Sequence, residues 1–258
     1  MTRRGLKSRI ALRLPLAALA VVAAPLRAQA PRRTRENLNA WATIVGDVQL
    51  SPRWFVDYDF SLRRSGPLRE WQQLFPRASV RYRLNPTVQL NVGVARPETY
   101  PYGKLPVAFR FPERRIWEQV MLSQSAGRVA LTHRYRVEQR WTGRVALVGG
   151  KEEVQNWVRT NRARYRLGAL VPLQGKSTEN GEFYANLNGE LFMNWGANVT
   201  GNVFDQYRAN AMLGYRHSRR LRLEAGYLEH LVQKPNGWQL ERNHTLAVAV
   251  VTSQSLLH

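Results

Sequence analysis

Residues 131–141 read Leu131-Thr132-His133-Arg134-Tyr135-Arg136-Val137-Glu138-Gln139-Arg140-Trp141. Leu131, His133, Tyr135, Val137 and Trp141 fall on odd positions, and the charged Arg134, Arg136, Glu138 and Arg140 on even ones. Side chains of an extended strand point alternately to opposite faces, so a strand sorts these residues into an oily face and an ionic face. A soluble sandwich also alternates, but it turns its charges to water and does not set successive rows of arginine against glutamate. The pattern recurs along most of the chain. Repeated behind an export signal, it predicts a barrel in an outer membrane, oily outside and polar within.

The export signal is at the start. Arg3, Arg4, Lys7, Arg9 and Arg13 precede an apolar run over residues 14–26, which ends at Ala28-Gln29-Ala30. A basic region, a short apolar stretch and small residues form a secretory signal peptide, so residues 1–30 are predicted to be removed and residues 31–258 to form one barrel domain. A membrane helix needs about 20 apolar residues, and this run is shorter and is interrupted by Pro15 and Pro25. The slightly negative mean hydropathy does not argue against a membrane barrel, because half of each strand faces a polar interior.

Cysteine is absent, which removes disulfides, thiolate metal sites, cysteine nucleophiles and an acylated lipoprotein anchor together. The net charge is +21. The six basic residues before Pro31 leave about +15 on the exported part, still strongly basic. A basic surface suggests nucleic acid when arginines cluster on one element. Here they are spread through alternating strands of an exported chain, so nucleic acid is not expected; the expected partners are outer-membrane lipid, lipopolysaccharide and small anionic solutes.

About eleven alternating segments can be drawn: residues 41–50, 54–64, 77–84, 87–95, 115–124, 129–141, 158–171, 182–195, 204–216, 221–231 and 239–252. Trp54, Val56, Tyr58, Phe60 and Leu62 share one face of the second, and Asp57, Asp59 and Arg63 the other. Short turns alternate with longer connections at residues 65–70, 97–113, 142–156, 196–202 and 233–238, the asymmetry of periplasmic turns and external loops. Single-chain bacterial barrels close with an even number of antiparallel strands. The fold is therefore predicted as an all-β, transmembrane, antiparallel up-and-down β-barrel of about 12 strands, with 10 as the alternative. Trp41, Trp54, Trp71, Trp117, Trp141, Trp157, Trp195 and Trp238 lie near strand ends and are predicted to form interfacial girdles.

These segments together carry a resemblance. With the opening stretch, Arg115-Ile116-Trp117-Glu118-Gln119, residues 162–167, Asp205-Gln206-Tyr207-Arg208, Leu213-Gly214-Tyr215 and Asn243-His244-Thr245-Leu246, the chain resembles the bacterial domain of unknown function 2490 family over nearly all of its exported part. The resemblance implies an outer-membrane barrel. It implies no activity and transfers no catalytic residue.

The predicted lumen-lining set is Asp57, Asp59, Arg81, Arg83, Arg134, Arg136, Glu138, Arg140, Arg162, Arg164, Arg166, Glu190, Arg208, Arg216, Arg222 and Glu224. The arginines could guide anions. In a small barrel they would instead be neutralised by Glu138, Glu190 and Glu224 in a salt-bridge plug, because open aqueous channels belong to rings of about 16 strands or more. A lipid hydrolase would need serine beside His133 or His244 at the outer rim, yet residues 182–195 and 239–251 contain none. A protease would use Asp57, Asp59 or Asp205 with a histidine, whereas lumenal carboxylates more often answer arginines such as Arg63, Arg81 and Arg83. No metal-ligand spacing and no phosphate-binding loop occurs, so no cofactor, metal or catalytic residue is predicted. The function expected is a non-enzymatic outer-membrane protein, structural or a narrow anion-preferring pathway. The alternatives are a barrel enzyme at the outer face and a soluble periplasmic binder, whose aromatic face would be buried.

Overall fold

The structure is a computed structural model that describes residues 33–257, so the predicted signal peptide lies outside the described residues. Twelve strands account for the fold: β1 (Arg33–Gln49), β2 (Trp54–Ser65), β3 (Glu70–Arg83), β4 (Val88–Ala95), β5 (Glu98–Thr99), β6 (Phe111–Ala126), β7 (Val129–Val148), β8 (Lys151–Pro172), β9 (Glu182–Trp195), β10 (Phe204–Arg216), β11 (Leu221–Gln233) and β12 (Gln239–Ser255). Apart from β4 and β5, which both pair with β3 and β6, each strand pairs with its neighbours in sequence, and β12 returns to β1, closing the sheet into a barrel.

Eleven strands form the ring, and the two-residue β5 is the extra one. β4 and β5 occupy the same place between β3 and β6. Arg77 faces Ala95 and Leu74 faces Glu98 with no change of register, and the β6 side continues in the same way from Arg115 to Pro112. Only Arg96 and Pro97 interrupt the path. Proline cannot donate to a ladder, but Arg96 N donates to Pro76 O at 3.2 Å and Glu113 N to Pro97 O at 2.8 Å, so the seam stays connected across it.

The strands alternate in direction around an odd ring, so the first and last run the same way. The expected antiparallel closure is corrected accordingly: β1 and β12 pair in parallel from Arg33↔Gln239 to Gln49↔Ser255. Side chains fasten this seam from within. Asn243 Oδ1 accepts from Asn37 Nδ2 at 3.1 Å and Asn39 Nδ2 at 3.0 Å, and Glu241 Oε1 accepts from Asn37 Nδ2 at 2.9 Å.

Local chemistry sets the turns. Asn85 Oδ1 accepts from the backbone of Thr87 at 2.9 Å and Val88 at 2.8 Å, a side-chain mimic of a turn that reverses the chain between β3 and β4. The expected long connection over residues 142–156 is instead a continuation of β7 and β8. They remain paired out to Val148↔Lys151 and reverse at Gly149-Gly150, both with positive φ (56° and 82°), as a two-residue hairpin turn requires. Alternation had been masked there by exposed residues on both sides of the projecting hairpin. The other long connection, residues 100–110, folds over the ring mouth: Lys104 N donates to Asn37 Oδ1 at 3.0 Å and Gly103 N to Glu70 Oε2 at 3.0 Å. Gly103 has φ 65°, and a Cβ there would lie 2.6 Å from Asn37 Oδ1, so the contact depends on glycine.

The two faces have opposite polarity. Leu246 is 63% exposed, Val92 59% and Leu213 53%, and they belong to an outer wall of aliphatic and aromatic side chains. Buried residues are mostly polar or charged, with Glu138 1% and Arg162 2% exposed.

Candidate functional site

The interior is organised by β7, β8 and β9. Alternation turns Arg134, Arg136, Glu138 and Arg140 to one face of β7, and register sets Glu138 opposite Arg162 and Arg166 opposite Glu190. Glu138 is the hub. Its Oε2 accepts from Arg162 Nε at 3.0 Å and Nη2 at 2.5 Å, and its Oε1 from Arg164 Nη1 at 2.5 Å. Arg136 and Arg115 stand further off, at 3.7 and 3.9 Å. Glu190 Oε1 is shared by Arg134 Nη2 at 2.6 Å and Arg164 Nη2 at 2.7 Å. Asp205 Oδ2 accepts from Arg162 Nη1 at 2.8 Å. Glu113 is held by Arg115 at 2.7 Å and Arg140 at 3.1 Å. A carboxylate removed from water requires such partners, and each guanidinium has enough donors to bridge two of them.

Two cavities lie beyond this cluster and share no lining residue. Glu138, Arg164 and Glu190 border neither, whereas Arg162 lines one and Arg134 the other, so the ion pairs separate the cavities. The cavity nearer the short turns measures about 360 Å³. There Arg81 bridges Asp47 and Asp57, each at 3.0 Å, Asn91 Nδ2 donates to Asp57 Oδ2 at 2.7 Å, and Arg77 pairs with Asp59. Arg166 and Arg222 also border this cavity.

The remaining members of the predicted set have other partners. Arg83 stacks on Phe55 at 4.5 Å, and Arg216 donates to Thr178 O at 2.6 Å. Among the described residues Glu224 forms no ion pair of the kind expected of it: it accepts from Tyr184 Oη at 2.8 Å and Asn186 Nδ2 at 2.9 Å. Arg63 and Arg83 likewise do not answer Asp57 and Asp59, a task that falls to Arg81 and to Arg77, which was not among the predicted residues.

The cavity nearer the long connections measures about 550 Å³. Arg208 and Arg63 meet here around Trp41. The Arg63 guanidinium lies 3.8 Å from the Trp41 ring and that of Arg208 5.2 Å from it. Trp41 Nε1 donates to Gln72 Oε1 at 2.7 Å. His230 Nε2 lies 3.0 Å from Gln206 Oε1, which also accepts from Arg208 Nη2 at 3.0 Å.

Two expected girdle residues are corrected by these contacts. Trp41 is 6% and Trp117 4% exposed, both inside the ring, and Arg136 lies 3.7 Å over Trp117. Register overrides residue type: Trp41 shares the parity of Asn39 and Trp117 that of Gln119. Asp47 and Arg115 were missed because they share the parity of Trp41 and Trp117, which residue type had assigned to the interface; Arg77 shares the parity of Arg81 in its own segment, where alternation alone would have found it; and Glu113 fell in the expected connection over residues 97–113, beside Pro112.

The residues considered for catalysis stay apart. His133 Nδ1 is 2.9 Å from Tyr165 Oη and its Nε2 is 3.1 Å from Gln124. His244 Nδ1 is 2.6 Å from Tyr227 Oη. Both histidines occupy the outward register, whereas Asp57, Asp59 and Asp205 bind arginines inside. Among the described residues, no group of three or more His, Asp or Glu is placed to hold a metal ion.

Comparison with known proteins gives one family: the model described as "Protein of unknown function (DUF2490)" matches residues 38–241. No curated protein and no solved structure matches the chain.

Proposed function

The chain belongs to the DUF2490 family of proteins of unknown function, and from that premise we propose that it is an exported outer-membrane β-barrel whose lumen is closed at mid-height by ion pairs and receives small anions at its ends. The observation that carries this reading is the inverted polarity: an exposed apolar wall around a buried ionic interior. In water, so large an apolar wall would be a liability; in lipid it is the covered face. A soluble binder of this topology would bury the aromatic face, and here Tyr135, Tyr165, Tyr207 and Tyr227 are exposed on the outside.

The rim near the long connections supports an orientation and a partner. Arg64 stacks on Trp71 at 4.3 Å, Arg114 on Trp157 at 4.3 Å and Arg159 on Trp141 at 5.7 Å. All six side chains lie in the outward register. Tryptophan favours the membrane interface and arginine the phosphate layer, so this end faces outward, toward the phosphates of lipopolysaccharide, and the short turns face the periplasm. Within the lumen, arginine outnumbers carboxylate, which favours anions over cations. The ion pairs around Glu138 make the resting barrel a structural element or a narrow, restricted pathway.

The test is membrane fractionation of the expressed full chain, followed by electrophoresis with and without boiling. Recovery in the outer membrane with a heat-dependent change in mobility is the expected result. Recovery in the soluble periplasm overturns the proposal.

A further inference from the structure

Of the cations around the outer cavity, most are already committed. Arg115 and Arg140 hold Glu113, Arg162 holds Asp205, and Lys234 pairs with Glu241. Arg63 and Arg208 differ. Arg63 donates to Gln73 Oε1 at 2.7 Å and Arg208 to Gln206 Oε1 at 3.0 Å; both acceptors are neutral amides, and neither arginine forms an ion pair among the described residues. The Nε atoms of both are buried without a hydrogen-bond partner, as is Nδ1 of His230 beside them. Arg63 is only 5% exposed. Two guanidiniums that share one aromatic ring with no ion-pair partner in contact repel each other, and an oxyanion between them would remove both costs.

The rest of the cavity indicates what the oxyanion is attached to. Phe75, Phe109, Phe111, Val145 and Val199 line the same space, and its 550 Å³ falls within the range of small-molecule sites, about 300–1,000 Å³. A bare inorganic anion would leave these side chains against water. An organic anion would bury them.

We infer that the outer cavity binds a small amphipathic carboxylate, its oxygens between Arg63 and Arg208 and its hydrocarbon part against Phe75, Phe109 and Phe111. The inference rests on the reading of the lumen as anion-receiving and specifies the site and ligand class. Trp41, held by Gln72, fixes the positions of both guanidiniums. Binding needs no passage through the Glu138 cluster, because the cavity lies wholly on the outer side of it.

The test is calorimetric titration of the purified full chain in detergent with benzoate, a carboxylate soluble enough to stay out of micelles, and with inorganic phosphate for comparison. Saturable benzoate binding is expected, with Arg63→Gln and Arg208→Gln each weakening it about tenfold or more, as loss of a charge-assisted contact implies. Arg219→Gln, in a turn at the opposite end, serves as the control and binds as the wild type does. Heat-dependent mobility of every variant reports the closed barrel separately. If that mobility change is absent from the wild type, the barrel reading itself fails. With mobility intact, absent benzoate binding, phosphate binding as tight as benzoate, or arginine variants that bind unchanged would each overturn the inference.

Discussion

Glu138 shows how a single residue organises the interior. It is 1% exposed and takes hydrogen bonds from two arginines on the neighbouring strand, with two more cations within 4 Å. Glu138→Gln keeps the shape and removes the charge, leaving Arg162 and Arg164 buried with less compensation. Breaking such a pair typically costs about 3–5 kcal/mol, so the variant's heat-dependent mobility transition is expected at a clearly lower temperature. Glu118, on the outward face and bonded to Gln139 at 3.2 Å, provides the contrast, since Glu118→Gln retains a hydrogen-bonding side chain and is expected to shift the transition little. An equal shift in both variants would remove Glu138 from its central role. At this scale the sequence was legible in part. Alternation identifies which of Arg134, Tyr135, Arg136 and Val137 share a face, but cross-strand pairing depends on register, which no single strand encodes. Glu138 meets Arg162 because the β7–β8 hairpin fixes that register, whereas Glu224, of similar local pattern, meets Tyr184 and Asn186. Trp41 and Trp117 show the same limit, since residue type suggested the interface and parity put them inside.

At the scale of the element, the parallel seam between β1 and β12 carries the closure. Asn37, Asn39 and Asn243 are buried polar residues on two strands distant in sequence, and Asn243 Oδ1 receives both partners. Asn243→Ala leaves the buried Asn39 amide without its acceptor and Asn37 with Glu241 alone, and an unsatisfied buried group costs about 1–3 kcal/mol. Its unfolding midpoint in urea, followed by the mobility change, is expected to fall well below that of Asn186→Ala, whose removal leaves Glu224 bound by Tyr184. A midpoint at or above that of Asn186→Ala would show that the backbone ladder alone closes the barrel. The seam was not legible beforehand because pairing between chain ends leaves no local signal. Most other strands were legible, with hydrophobic alternation of period two setting their positions and asparagine, serine or glycine their ends. Recognition faltered where proline interrupts a strand, at Pro76, Pro97 and Pro112, and where β7 and β8 project beyond the ring as a hairpin wet on both faces.

For the whole molecule, the odd ring, the parallel closure and the inverted polarity belong together. An odd number of alternating strands places the start of β1 and the end of β12 at opposite mouths of the ring, and an ionic core tolerates burial only because its carboxylates and guanidiniums satisfy one another. On the proposed reading, the outer wall is covered by lipid. Because the chain has no cysteine, a fluorescent reporter can be attached to one introduced cysteine at a time along β12, at Leu246, Ala247, Val248, Ala249 and Val250, in barrels reconstituted into vesicles with brominated acyl chains. Quenching by the brominated lipid at 246, 248 and 250, and its absence at 247 and 249, is the expected result. Reporters at 246, 248 and 250 that escape the lipid quencher and are reached by aqueous iodide would contradict a membrane-embedded barrel.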